Sequence, residues 1–292
     1  MDQVRKEEKR HPHWNEFKYL LTLMSKNTLT IVGLVLISVL VLTAVFQSFI
    51  APYDPIKLNL MERLQPPSPD HLFGTDDLGR DVFSRVVYGA RVSLVMTLSV
   101  VILSLVLGSF IGITAGYFGG IYSEIIMRIT DIFMAFPSIL LAMLIATSLK
   151  PSIFNTVLTL VLVDWPEYAR VMRSQTLTIM QQEYITSARV LGASRWRIML
   201  RHILPNCGGL LIVQSTINLG ITALAVASLG FLGLGVQEPR AEWGSMVSKG
   251  RKYFLDAWWF PVFPGFAIAL NVLGFNFLGD GLRDILDPRT RH

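Results

Sequence analysis

The stretch VSLVMTLSVVILSLVLGSFIGITAGYFGGIYS, residues 92–123, carries no charge between Arg91 and Glu124. A helix crossing ~30 Å of hydrocarbon needs about 20 mostly apolar residues, so this run is long enough to span a bilayer. Working outward, the chain repeats the signal. Asn27 to Tyr53 is uncharged and reads as a first span. A third runs from about Tyr122 to Leu149, a fourth from about Ser152 to Val171, a fifth lies within Ile203–Gln237, and a sixth between Ala257 and Gly279. The expected fold class is therefore an all-α integral membrane protein with six transmembrane helices.

Composition excludes the soluble alternatives. Hydrophobic residues make up 52% of the 292 residues and charged residues 16%, with a mean hydropathy of +0.48. Soluble chains carry about 25% charge. A net charge of +5 could suggest nucleic acid, but the basic residues lie in short stretches between apolar runs, as membrane topology requires. No nucleic-acid partner is expected; membrane lipid is. The single cysteine, Cys207, excludes an internal disulfide and reads as a small apolar residue near a helix start. The basic segment holding Arg5, Lys6, Lys9, Arg10, Lys18 and Lys26 precedes an apolar run too long for a signal core, so that run is expected to stay as an anchor.

Orientation follows from where Lys and Arg fall. With the N-terminus inside, the inner segments hold those six residues, then Arg170, Arg173, Arg189, Arg195, Arg197, Arg201, Arg283, Arg289 and Arg291. The outer ones hold Lys57, Arg63, Arg80, Arg85, Arg91, Lys150, Arg240, Lys249, Arg251 and Lys252. The bias places both termini in the cytoplasm of a multi-pass membrane protein. The expected organisation is a cytoplasmic tail (1–27), a first transmembrane helix (28–50), an external loop (51–85), a five-helix core (86–282) with a cytoplasmic loop at 174–206, and a cytoplasmic tail (283–292).

The cytoplasmic loop contains EYITSARVLGASRWRIMLRHILPN, Glu183–Asn206. Its first part is helix-forming, with Ile185, Ala188 and Leu191 on one side and Glu183 and Arg189 on another. Gly192 interrupts it, and a second amphipathic piece from Arg195 to Leu204 is expected to end at Pro205. Two short helices with small residues at the bend form either a knob for a partner's groove or an interfacial helix on lipid headgroups.

This segment resembles the EAA loop of permease subunits of binding-protein-dependent ABC importers: E-A-A, three residues, G, nine residues, I-x-L-P. Thr186, Ser187 and Ala188 fill the first positions, Gly192 the glycine, and Leu204-Pro205 the terminal pair. Thr186 replaces the acid, Ser187 the first alanine and His202 the isoleucine, with Glu183 three residues earlier as another source of negative charge. Three further strings resemble the C-type subunit of the oligopeptide, dipeptide and nickel branch: FGTDDLGRDVFSRVVYGARVSL (73–94), GFLGLGVQEPRAEWGSMV (230–247) and WWFPVFPGFAIALNVLGFNFLGDGLRDILDPR (258–289).

The resemblance implies a type I ABC importer permease fold in a bacterial inner (plasma) membrane. It also implies a heterotetrameric core of two homologous permeases and two ABC ATPase subunits, fed by an extracytoplasmic solute-binding protein. The cargo would be short peptides or a related solute such as nickel complexes or glutathione. Glu183, Thr186, Ser187, Ala188, Leu191, Gly192, Ala193, Arg195 and Pro205 would form the ATPase-coupling helix. The chain has no G-x-x-x-x-G-K-[ST], so it offers no phosphate-cradling loop. It is read as a non-enzyme that binds no cofactor, with ATP and Mg on the partner ATPases.

Charges at membrane depth face protein or water. Glu124, Arg128 and Asp131 are spaced to pair along one helix face; Asp131 belongs either to a substrate path or to a helix-locking ion network. Asp164 and Glu167 flank Trp165-Pro166, where a kink is expected, and are further candidates for the path. Asn218, Asn271 and Asn276 could bind a peptide backbone or join helices. Gly108, Gly112, Gly116 and Gly120 form a stripe for close helix approach. Outside, Asp76, Asp77, Arg80, Asp81, Gln237 and Trp243 read as an outer mouth where the binding protein docks, or as solvated loop surface. A membrane-embedded enzyme is disfavoured, because His11, His13, His71, His202 and His292 all lie outside the spans and no metal site is expected. An ATP-independent secondary transporter is the competing transport reading; it would have no use for the loop at Glu183–Pro205.

Overall fold

The computed structural model describes residues 27–286; the basic N-terminal segment and residues 287–292, with Arg289 and Arg291, lie outside it. The described residues fold into helices, joined by one isolated β-bridge between Thr75 and Asp81.

Helix α1, Thr28–Val45, starts where Asn27 Oδ1 accepts from the Leu29 and Thr30 amides at 3.0 and 3.4 Å, satisfying two N–H groups that have no partner inside the helix. Apolar side chains on most of its circumference are exposed (Leu29, Val35, Val39, Leu42 and Val45 among them). A helix apolar all round suits lipid. After the one-turn α2, Gln47–Ile50, the chain makes a long loop and enters α3, Val82–Phe118, capped by Asp81, whose carboxylate accepts from Ser84 N at 2.7 Å. At 1.5 Å per residue α3 is ~55 Å long, more than the hydrocarbon needs.

Helices α4, Gly120–Met134, and α5, Ser138–Thr147, follow, then α6, Ile153–Met180, and α7, Glu183–Val190. The short α8, Arg195–Arg197, runs through π-helical turns at Ile198–Ile203 into α9, Leu204–Phe231; α10, Trp243–Gly250, and α11, Trp259–Leu286, complete the chain.

Several expectations change. The second span begins ten residues before Val92, because Asp81 caps a helix that continues outward; the external loop accordingly ends at Asp81, not at residue 85. The third is not one straight helix: α4 and α5 meet at 89°. Pro137 supplies no N–H and pushes Phe136 out of the helical region. The helix holding the fourth span is long enough, but Asp164, Glu167, Arg170 and Arg173 interrupt its apolar run. The second amphipathic piece of the loop does not end at Pro205, which lies in the first turn of α9 inside one continuous helix, Arg195–Phe231. Among the described residues, four helices are long and apolar enough to cross a membrane, or five if the bent α4–α5 pair counts as one.

The glycine stripe explains how α3 meets α6. A Cβ on Gly108 would lie 2.5 Å from Trp165 O, one on Gly112 would run into Ala169 O, and one on Gly116 would lie 2.6 Å from Thr176 Cβ. Three of the four glycines therefore let two backbones touch. Gly120 does not: it has φ +54° with nothing within 4 Å, and serves the turn into α4. Gly112→Ala should cost about 1–3 kcal/mol by overpacking, read as a fall in thermal unfolding temperature of the purified protein, whereas Gly120→Asn should cost little.

Residue numbers rise together across this contact, so α3 and α6 run parallel. Their C-terminal ends carry the segment 181–197, where the Arg189 and Arg195 guanidiniums lie 5.8 Å from the Tyr117 and Phe118 ring centres. The N-terminal end of α3 carries the other loop system: Trp243 Nε1 donates to Val86 O at 2.9 Å, and Trp259 Nε1 to Thr75 O at 3.2 Å. The two loop systems thus occupy opposite ends of α3.

Candidate functional site

At the C-terminal end of α3 and α6 the chain builds a small knob. Helix α7 stops because Leu191 leaves the helical region and Gly192 takes φ +79°. Gly192 N–H donates to Arg189 O, and Ala193 N–H to Ala188 O, both at 3.0 Å. This paired closure requires a left-handed residue at the Gly192 position, which glycine adopts without Cβ strain. Ser194 Oγ then accepts from Arg197 N at 3.3 Å and starts the next helix.

Burial divides the knob in two. Ile185 is fully buried with Ile198, Met199 and Ile203 in a cluster that reaches Ile113 and Met172; Cys207 is buried in the same cluster. Val190 and Leu191 are 82% and 86% exposed, and Glu183, Thr186 and Ser187 are exposed beside them. Ala188 and Ala193 are half-buried, Arg195 and Pro205 exposed. The expected apolar side therefore keeps Ile185 and Ala188 but loses Leu191, because the helix ends one residue before it. Glu183 lies in the first turn of α7, where a negative charge suits the helix dipole.

A polar cluster joins α6 to α9. Glu167 accepts from Gln214 Nε2 at 2.7 Å and Asn218 Nδ2 at 3.2 Å, and Gln214 Nε2 also lies 3.3 Å from Asn218 Oδ1. Asp164 is half-buried one turn earlier on α6. The other candidates do not join them. Asn276 packs against Gly220, and Asn271 is buried with its Oδ1 unpartnered in a groove between α1, α3 and α11. Asp131 does not pair with Arg128; it binds Arg170 of α6 at 2.7 Å, while Arg128 lies 3.8 Å from Glu124. Helical spacing alone proposed the local partner, and packing supplied a nearer one. Gln214, four residues before Asn218 in an uncharged run, was not anticipated.

The charges expected at an outer mouth are not a solvated patch. Asp76, Arg80 and Asp81 are 0%, 2% and 3% exposed, and Trp243 is 3% exposed. Arg80 reaches Asp76 at 2.7 Å and Glu238 at 2.8 Å; Arg85, also buried, lies 3.5 Å from Asp76, and Lys249 closes on Glu238 at 2.6 Å. Asp81 instead caps α3 and accepts from His71 Nδ1 at 2.9 Å. Buried charges must be paired to offset desolvation, so these residues fasten the loop 51–81 to the 237–249 segment. Burial raises the Glu238 pKa, but its bonds to Lys249 and Arg80 outweigh that and hold the carboxyl below its usual range. Asp77 is pushed up, first by burial and then by Asp76. Of the six residues expected to face a docking partner, Gln237 is exposed and Asp77 half-buried; the remaining four are structural.

Comparison with known proteins finds relatives of the chain. The family described as "Binding-protein-dependent transport system inner membrane component" matches residues 108–292, and that described as "N-terminal TM domain of oligopeptide transport permease C" matches residues 19–67. The chain is 45% identical over 271 residues to the probable D,D-dipeptide transport system permease protein DdpC of Escherichia coli K12, covering 93% of this chain and 91% of that one. It is 45% identical to the dipeptide transport system permease protein DppC of Alkalihalophilus pseudofirmus over 279 residues, 95% and 90% of the two chains. To DppC of Escherichia coli K12 it is 45% identical over 284 residues, 95% and 92%.

Proposed function

Since the chain belongs to the binding-protein-dependent transport system inner membrane components, we propose that it forms, with a second homologous permease, the path of an ATP-driven importer for short peptides. Its family is one of multi-pass inner-membrane permease subunits that are not themselves catalytic. Peptide cargo is supported by the dipeptide and peptide systems named for its relatives.

Six passes are supported by direction. Helices α3 and α6 run parallel, so the bent α4–α5 segment returns the chain from one end to the other between them. The loop after α6 lies at the C-terminal end of α3, and α9 leads from there back to α10 beside its N-terminal end. With both termini cytoplasmic, the knob at Glu183–Arg195 faces the cytoplasm and couples to two ABC ATPases, which bind the ATP and Mg. The exposed Val190 and Leu191 on a helix end closed by Gly192 carry this reading: two large apolar side chains held in water by a rigid turn suit a partner's groove. The Glu167–Gln214–Asn218 cluster, with Asp164, is the favoured path surface. The solute-binding protein docks on the outer loops, with Asp77 and Gln237 within reach.

Affinity purification of the tagged chain from mildly solubilised native membrane, with mass spectrometry of the companions, tests the assembly. A second permease and P-loop ATPases are expected. Recovery of the chain alone, from a preparation that keeps other transporters intact, would favour an ATP-independent transporter.

A further inference from the structure

A cavity of about 850 Å³ opens at the N-terminal end of α3, between the end of α1–α2, the start of α6 and the connector before α10. Its lining is divided by polarity. Val92, Val95, Met96 and Ile153 form an apolar side, and Arg91, Arg240, Tyr88 and Asp54 a polar one.

Position along the chain fixes its depth. Arg91 is the last charge before the uncharged run of α3, and Ile153 opens α6 just after Lys150. Arginines and tyrosines at such boundaries stand at the lipid headgroup level. Arg91 and Arg240 are exposed, and among the described residues neither has a carboxylate within ion-pair distance. Asp54 is also exposed, with Oδ1 accepting from Ile56 N at 2.9 Å. Gln47, at the same level, is buried with an unpartnered Oε1.

We propose that this cavity is a binding site for one outer-leaflet glycerophospholipid with an ammonium-bearing headgroup, its phosphate held by Arg91 and Arg240 and an acyl chain laid along Val92, Val95, Met96 and Ile153. Two unpaired guanidiniums match the phosphate, and Asp54 matches the ammonium. A purely anionic headgroup would meet Asp54 with nothing to pair it. The apolar side requires a chain, which a free phosphate lacks.

Native mass spectrometry of the intact delipidated complex, titrated with phosphatidylethanolamine, phosphatidylglycerol or diacylglycerol, tests the site. Phosphatidylethanolamine is expected to bind most tightly and diacylglycerol least. Each arginine near a membrane surface is worth about fivefold in affinity, so R91Q/R240Q should lose about 25-fold for one bound phosphatidylethanolamine. V95W should lose it by filling the apolar side with both arginines intact, and D54N should erase the preference over phosphatidylglycerol. Unchanged binding in R91Q/R240Q and in V95W would overturn the site. Displacement of the lipid by millimolar inorganic phosphate would reassign it to a simple anion, and equal affinity for phosphatidylglycerol in the unaltered complex would remove the ammonium from the proposal.

Discussion

Gly192→Trp should reduce substrate uptake by the assembled transporter more than tenfold while leaving membrane insertion intact and basal ATP hydrolysis measurable. The reason is backbone geometry. Nothing lies within 4 Å of where a Cβ would stand, so the Cβ itself meets no clash. The turn at φ +79°, however, costs an L-residue roughly 1–2 kcal/mol. The knob relieves that strain by opening the closure between Ala188 and Ala193, which re-aims Val190 and Leu191. A graded series separates geometry from bulk. Gly192→Asn, which tolerates the left-handed region, should stay near the parent; Gly192→Ala should fall between. Peptide uptake and ATPase activity measured side by side in proteoliposomes, with binding protein supplied, give the readout. If Gly192→Trp transports at the parental rate, the knob does not couple.

Arg80→Met should be the most destabilising single change outside the membrane, at about 3–5 kcal/mol, seen as a large drop in the unfolding temperature of the purified complex. The side chain is 2% exposed and holds two carboxylates from segments far apart in sequence. Removing it leaves buried Asp76 with Arg85, at 3.5 Å, as its one cationic partner among the described residues, although the amides of residues 78 and 80 still donate to its Oδ1 at 2.9 Å. A drop equivalent to less than about 1 kcal/mol would mean that Arg85 takes over, and Arg80→Met/Arg85→Met would then reveal the missing cost. The same fastening predicts a pH dependence. The folded Glu238 pKa lies below its ordinary value, so its contribution is present above the unfolded pKa and is lost as pH falls through the folded one. Stability should therefore decline on acidification below the ordinary carboxylate range, and Glu238→Gln should flatten that part of the profile.

The membrane class, the approximate places of the helices, the family and the knob were legible in the sequence. Uncharged runs report hydrocarbon, and the pattern around Gly192 reports a turn that only glycine closes without strain. Each signal is local, set by a few neighbouring residues whatever the rest of the chain does. The stripe Gly108–Gly112–Gly116 could likewise be read as a close approach, although the partner, α6, could not.

Charged residues were legible as present and misread in role. Asp76, Arg80 and Asp81 look like a solvated docking patch because their sequence neighbours are polar; burial comes from Glu238, Trp243 and Trp259, more than 150 residues away. Asp131 looks paired with Arg128 because helical spacing is all that sequence offers, yet Arg170 of a neighbouring helix is nearer. Whether a charge is free, paired within its helix or fastened to a distant segment depends on which surfaces meet, and that is decided by packing. The sequence by itself determined the membrane class, the family and the glycine turn at Gly192; tertiary structure alone decided where the chain bends between helices and which charges are buried and with whom, because an ion pair's partner is chosen by distance in space.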